Sequence, residues 1–334
     1  MSRLRLPRVA VIGTGGTIAS VGEHSLELTE YINHNRLYDI HELLGRTPEL
    51  EQVAEIVPIP YATLQSPAIG PVEWLELNEA IHNVAGNERL DGIVLTHGTA
   101  TLEETAYFLN LALHISQTVV LVGAQRPATG LSGDGPLNLV NAVRVAGSPE
   151  AAGLGVVVVM NDEILAAREA TKTSTLRLQT FRAPDLGVLG HADPDAVAVY
   201  RRPTRRRQPD TEFFLRGKRE LPRVDIVMSY AGADGAMVRA AVASGAKGVV
   251  VAGFAPGLIT PDQRAALDEC AAAGIPVVQS SRAGSGRVPS LEVAQAKGSI
   301  SADNLTPQKA RILLMLALAQ AVPLEELSRV FATY

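Results

Sequence analysis

Short, nearly unbroken runs of Val, Ile and Leu recur along the chain. They are Arg8–Ile12 (RVAVI), Gly92–Thr96 (GIVLT), Thr118–Gly123 (TVVLVG) and Gly153–Met160 (GLGVVVVM). Their lack of apolar–polar alternation predicts strands buried on both faces of a parallel sheet. Between them, Val72–Ala85 and Leu102–Ile115 place apolar residues at helical spacing. Strand and helix in alternation predict an α/β fold. The rhythm resumes at Asp225–Ser229, Gly248–Gly253 and Gly274–Gln279 after an interruption from about Tyr200 to Pro222. That interruption holds Arg201, Arg202, Arg205, Arg206, Arg207 and prolines 203, 209 and 222, and reads as a solvated interdomain linker. The expected division is a domain over 1–199, a linker over 200–222 and a domain over 223–334.

Composition narrows the function classes. The 334 residues are 46% hydrophobic and 19% charged, an ordinary globular mixture that excludes long-range disorder. A net charge of −5 argues against a general nucleic-acid binder. One cysteine, Cys270, provides neither an internal disulfide nor a Cys-rich metal site. The N-terminal MSRLRLPRVAVIGTGG has no signal-peptide apolar core, and no uncharged apolar stretch of about 20 residues occurs. The expectation is a cytoplasmic protein that acts on a small molecule.

Candidate chemistry gathers where strands end. The first run leads into Gly13-Thr14-Gly15-Gly16-Thr17-Ile18-Ala19, at the carboxyl end where α/β sheets bind ligands. A dinucleotide fingerprint fails there, because Ile18 stands where a third small residue is needed. Two readings remain: a tight turn with self-bonding threonines, or a turn that exposes Thr17 as a hydroxyl nucleophile. The run Gly92–Thr96 leads into Thr96-His97-Gly98-Thr99-Ala100-Thr101. Thr99 is assigned to the site, and Thr101 with Glu104 to a capping box opening the next helix. Lys172, among the small hydroxyl residues of ATKTST, is a candidate base if desolvation lowers its pKa. The seven histidines show no metal-ligand spacing, and His97 reads as a structural hydrogen-bonding residue. With no GxSxG elbow, threonine hydroxyl chemistry activated by a base is what remains.

Taken together, TGGTIA (Thr14–Ala19), THGTAT (Thr96–Thr101) with LEETAYFLNL, VGAQRP (Val122–Pro127) and SGDGPLNLVNAV (Ser132–Val143) resemble the bacterial L-asparaginase/glutaminase family. MND, ATKTST and LTPQKARILLMLALAQ extend the likeness from about residue 8 to 334. The resemblance implies a large N-terminal α/β domain with a mostly parallel sheet and a smaller C-terminal parallel α/β domain. It implies hydrolysis of a side-chain amide to a carboxylate and ammonia, asparagine or glutamine being the substrate, without metal or cofactor. Homotetramers built from intimate dimers are implied as well. Residue by residue, Thr17 matches the nucleophile, Tyr31 the tyrosine beside it, and Ser66 the serine that binds the substrate α-carboxylate. Thr99 and Lys172 match a second Thr–Lys pair, and Glu292 a glutamate reaching a neighbouring subunit's site. Ala100 departs from the pattern. The family motif reads THGTDT, and its aspartate binds the substrate α-ammonium. The leading expectation is hydrolysis of L-asparagine, impaired by Ala100; the departure sets two alternatives beside it, an amide substrate lacking that ammonium or a non-catalytic amino-acid-binding homologue.

Overall fold

In the computed structural model, residues 5–87, 89–290 and 298–334 are described. The chain forms two compact units, Met1–Thr211 and Glu212–Tyr334. Unit 1 contains the predicted buried strands: β1 (Arg8–Gly15), β3 (Gly92–Thr96), β4 (Thr118–Val122) and β5 (Val156–Met160). It also contains β2 (Glu55–Leu64), which the apolar pattern did not reveal. The eight-stranded sheet has the order β10-β9-β6-β5-β4-β3-β1-β2, with β6 at Glu163–Ala166, β9 at Gly190–Ala192 and β10 at Val197–Val199. The strands from β2 to β5 are parallel, and β6, β9 and β10 extend the sheet in antiparallel fashion.

β2 escaped the pattern because Pro58 and Pro60 interrupt it. Proline is tolerated on an edge strand, where its missing N–H can face outward, and β2 is an edge. The chain therefore runs from β1 outward to β2 and then back to β3 on the other side of β1. That reversal is a topological switch point, the place where an open α/β sheet binds ligands at the carboxyl ends of its strands. In register, Ile12 of β1 pairs with Leu95 of β3 and Gly13 with Thr96, so both strands end level with one another.

Helices cover both faces. On one, Val9, Val11, Val94, Val120, Val122 and Val157 pack with Leu139, Ala142 and Val143 of α4 (Gly135–Ala146) and with Ile40 and Leu43 of α1 (Ile40–Gly45). Among the others, α2 (Pro71–Asn87) and α3 (Leu102–Ala112) pack together, with Trp74 stacked on Phe108 at 5.3 Å between ring centres. Unit 2 is a four-stranded parallel sheet ordered β11 (Val224–Met228), β12 (Gly248–Gly253), β13 (Val277–Ser281) and β14 (Ser299–Ser301). Val227, Val249, Val251 and Val277 form its core with Val238 of α5 (Ala236–Ala243) and Leu267 of α6 (Pro261–Ala272).

The arginine-rich segment behaves differently from a solvated linker. Its guanidinium groups donate to backbone carbonyls: Arg202 to Ala152 and Glu150, and Arg207 to Gly153, Pro203 and Arg205. Arg201 grips the Glu169 carboxylate through both terminal nitrogens, at 3.2 and 2.6 Å, and also donates to Gly187 O. Up to Thr211 these contacts strap the segment onto unit 1. Glu169 keeps only 8% of its side chain exposed, against 31% for Arg201. Replacing Arg201 strands a buried carboxylate. Arg201→Ala should cost about 2 kcal/mol, less than a fully buried pair because the arginine is partly wet. Urea unfolding of the variant and the wild-type protein checks this, and an unchanged midpoint would show that the strap adds nothing.

Candidate active site

The Gly-rich turns after β1 and β3 meet. Gly16 has φ of 83° and ψ of −176°, a conformation open to glycine alone. A Cβ on Gly16 would lie 2.3 Å from both Cα and N of Gly98. On Gly98, a Cβ would lie 2.6 Å from Cβ and Oγ of Ser66. Three segments distant in sequence thus touch, with Thr17 and Thr99 each one residue past a contact. Two hydroxyls tie the strand ends below: Thr14 Oγ1 donates to Thr96 O at 2.7 Å, and Thr96 Oγ1 to Ile12 O at 3.5 Å.

Thr17, half-buried at the start of a short 3₁₀ turn, shares a hydrogen bond of 3.1 Å with the Tyr31 hydroxyl. Tyr31 lies on a second 3₁₀ turn, Glu30–His34. The loop carrying it is fastened by the Glu27 carboxylate, which takes the Glu23 N–H and contacts the His34 ring. Those bonds, the Glu23 N–H first, hold the Glu27 carboxyl below its ordinary pKa. Gly22 N donates to Thr129 Oγ1 at 2.8 Å, and Ala128 N to Ser20 O at 2.9 Å. Burial pushes the Tyr31 phenol up, with the nearby Asp134 charge adding to the shift and the Thr17 bond opposing it.

On the other side, Lys172 donates from Nζ to Thr99 Oγ1 at 2.8 Å. Lys172 sits in a two-stranded ribbon of β7 (Thr171–Lys172) and β8 (Phe181–Arg182), closed by Thr173 N donating to Thr180 O at 2.7 Å. Burial lowers the Lys172 pKa, and the negative charge of Glu103 partly counters it. Ser66 joins from a turn after β2, its Oγ accepting from Ala100 N at 3.3 Å. The structure thus brings together Thr17, Tyr31, Ser66, Thr99, Ala100 and Lys172. Glu292 lies outside the described residues.

Thr101 does not make the expected capping box. Its backbone opens α3, yet its hydroxyl donates to Ser66 O at 2.8 Å and makes no cap bond. The tertiary acceptor wins because the Ser66 turn is pressed against this loop at Gly98. Two supports went unread in the sequence. Asp134 accepts from the N–H groups of Gln125 and Arg126, both at 2.9 Å. Asn138 donates to Gly123 O at 3.1 Å and accepts from Asn161 N at 2.9 Å. Together they pin the turn after β4, which explains why VGAQRP and SGDGPLNL occur as a pair. A carboxylate one residue before a glycine-led helix was the available signal.

Two family descriptions match the chain, "Asparaginase, N-terminal" over residues 8–205 and "Glutaminase/Asparaginase C-terminal domain" over 223–331. The chain belongs to the asparaginase family. Its members are amidohydrolases, and this enzyme is one of them. It is 38% identical to L-asparaginase 2 of Bacillus subtilis, covering 98% of this chain and 87% of that one. Identity to the glutaminase-asparaginase of Pseudomonas fluorescens biotype A is 36%, covering 100% and 92%. The crystal structure of a probable cytoplasmic L-asparaginase from Campylobacter jejuni superimposes with a TM-score of 0.94 at 39% identity, over 98% of this chain and all of that one.

The asparaginase-family site depends on the bare backbone of Gly16. Gly16→Ala should cost at least about 2 kcal/mol, from a glycine-only conformation combined with overpacking against Gly98. The loss should appear in the denaturation midpoint of the purified variant. A stable, active Gly16→Ala protein would mean that the two turns need not touch.

Proposed function

We propose that this amidohydrolase converts L-asparagine to L-aspartate and ammonia, with Thr17 as nucleophile. The supporting observation is the meeting of two hydroxyl pairs, Thr17–Tyr31 and Thr99–Lys172, at the switch point of a sheet in an asparaginase-family chain. Thr17 Oγ1 bonds to the amide carbon, and its proton passes into the Tyr31 and Lys172 network. The carbon–nitrogen bond breaks, the nitrogen takes a proton and leaves as ammonia. Water then adds to the Thr17 ester, releasing the carboxylic acid and restoring the hydroxyl. Thr99 and the backbone N–H groups of its turn hold the charge that develops on the carbonyl oxygen. Ser66 binds the substrate carboxylate.

A second reading has one observation in its favour. Ala100 is exposed at the edge of the site and carries a methyl group where the family motif has an aspartate. On that reading the preferred amide lacks an α-ammonium. Assembly is part of the proposal as well. Ile226, Met228 and Tyr230 on and after β11 are 40%, 57% and 52% exposed, and Met237 is 62% exposed. These side chains give unit 2 an apolar surface that a second copy of the chain would cover in a homotetramer, with Glu292 serving the neighbour's site. Among the described residues, no helix is long and apolar enough to cross a membrane. The name of the Campylobacter neighbour supports a cytoplasmic location.

Thr17→Ala removes one half-buried hydroxyl from a turn, so it should abolish ammonia release while leaving the fold intact. If most of the turnover survives, Thr17 is not the nucleophile and Thr99 becomes the candidate. Ala100→Asp should raise kcat/KM for asparagine at least about 30-fold. That figure takes about 2 kcal/mol, the low end of the range for a charge pair, here one that the bound substrate itself would cover, at about 1.4 kcal/mol per decade. Steady-state kinetics with asparagine, glutamine and succinamic acid decides between the readings. Unchanged asparagine turnover, with succinamic acid already a good substrate, would assign the site to the des-amino amide.

A further inference from the structure

Behind the turn Thr96–Thr101, three buried side chains form one run of hydrogen bonds. Trp74 of α2 donates from Nε1 to Thr105 Oγ1 of α3 at 2.9 Å. Thr105 Oγ1 lies 2.9 Å from His97 Nε2, and His97 Nδ1 lies 2.8 Å from the carbonyl oxygen of Gly98. Every proton in this run can be assigned. A carbonyl only accepts, so Nδ1 carries a proton and donates to Gly98. Full burial pushes the His97 pKa down to about 4, so the ring is neutral and Nε2 is a bare acceptor. Thr105 therefore donates to Nε2, and its oxygen receives the indole N–H, which can only donate. Stacking of Trp74 on Phe108 fixes the far end.

We infer that His97 is a positioning residue for amide hydrolysis: its Nδ1–H holds the Gly98 carbonyl inward and so turns the Thr99 N–H toward the reacting groups. This deepens the function proposed above and rests on it. Across a trans peptide the C=O and N–H point in opposite directions. Pinning the Gly98 oxygen on the core side directs the Thr99 N–H away from the core, on the residue whose hydroxyl accepts from Lys172. A preset backbone N–H at that place stabilises the oxygen charge formed once Thr17 has bonded to the carbon. The other ties on the turn act on either side of this peptide. His97 N donates to Val122 O at 2.8 Å, and Ala100 N donates to Ser66 Oγ at 3.3 Å. Gly98 between them has no side chain to limit its rotation, so the orientation of its carbonyl is left to its packing against Gly16 and Ser66 and to this bond. The imidazole removes that freedom without bringing a charge into the site.

Two measurements test the proposal. Nitrogen NMR of the wild-type protein labelled at histidine should show His97 as the Nδ1–H tautomer, unchanged between about pH 5 and 9. An Nε2–H tautomer, or titration within that window, overturns it whether or not the protein turns over asparagine. In kinetics, His97→Leu should lower kcat about 30- to 100-fold, the scale of a misplaced transition-state donor, with KM within about threefold. The pH profile should keep its shape. His97→Asn places an amide N–H near Nδ1 and should recover at least about tenfold of that loss. Equal losses in the two variants, a loss confined to KM, or a vanished limb of the profile overturns the proposal. If His97→Leu does not fold, His97→Asn decides alone: kcat within about tenfold of wild type is expected, and any larger loss refutes it. A wild-type protein that hydrolyses no amide would defeat the functional assignment, while the NMR result would still decide the tautomer.

Discussion

The backbone contact between Gly16 and Gly98 is the constraint on which the site depends. Strand order makes β1 and β3 neighbours, and their register ends them at the same level. Neither fact alone would bring Thr17 and Thr99 into one pocket, because ordinary side chains after each strand would hold the turns apart. Absent side chains at both positions let the main chains close, and the Ser66 turn then packs against Gly98. Hydroxyls finish the work. Thr14, Thr96 and the half-buried Thr101 each donate to a backbone carbonyl of another segment, so these hydroxyls lock three segments together.

Electrostatically the assembled pocket disfavours charge on its own reactive groups. Burial raises the Tyr31 phenol and lowers the Lys172 ammonium, so both shifts move toward the uncharged form. Tyr31 next to Thr17 stays a neutral hydroxyl. Lys172 next to Thr99 is brought closer to the free amine that a base requires. Glu103 acts on Lys172 in the opposite sense, which moderates its loss of charge. On the proposed mechanism, protons pass in short transfers among weakly polar partners, and a fixed N–H facing the carbonyl oxygen would matter more there than in water.

The sequence made some of this legible for identifiable reasons. Strands buried on both faces leave uninterrupted Val/Ile/Leu runs, so β1, β3, β4, β5 and β12 were read close to their true ends. Pro58 and Pro60 concealed β2, and with it the position of the switch point, which the strand order revealed. The antiparallel β6, β9 and β10 are three or four residues long, too short for a period to register. Arg201, Arg202 and Arg207 suggested a solvated segment because composition gives the charge of a guanidinium but not its acceptors, which here are carbonyls and one carboxylate. Thr101 and Glu104 satisfied a local capping pattern that a tertiary acceptor displaced. The polar run behind His97 joins residues 31 and 8 positions apart, a separation at which no local pattern operates.

The side chain of residue 100 lies apart from the restraints that hold the proposed reacting groups. Thr17, Thr99 and Lys172 are each fixed by groups behind them: the Gly16 turn, the loop anchored by Ser66 and His97, and the ribbon closed by Thr180. Position 100 contributes its backbone N–H to Ser66 while its side chain is exposed. The residue carried there can therefore change in charge without disturbing the restraints on its neighbours. An aspartate would add an ion-pair partner for an α-ammonium and would favour the charged form of Lys172. An alanine leaves the pocket without that carboxylate and the lysine nearer neutrality. On the proposed reading, the identity of residue 100 bears on which amide is held and on how basic Lys172 is, while the restraints on Thr17 and on the turn after β3 stay in place.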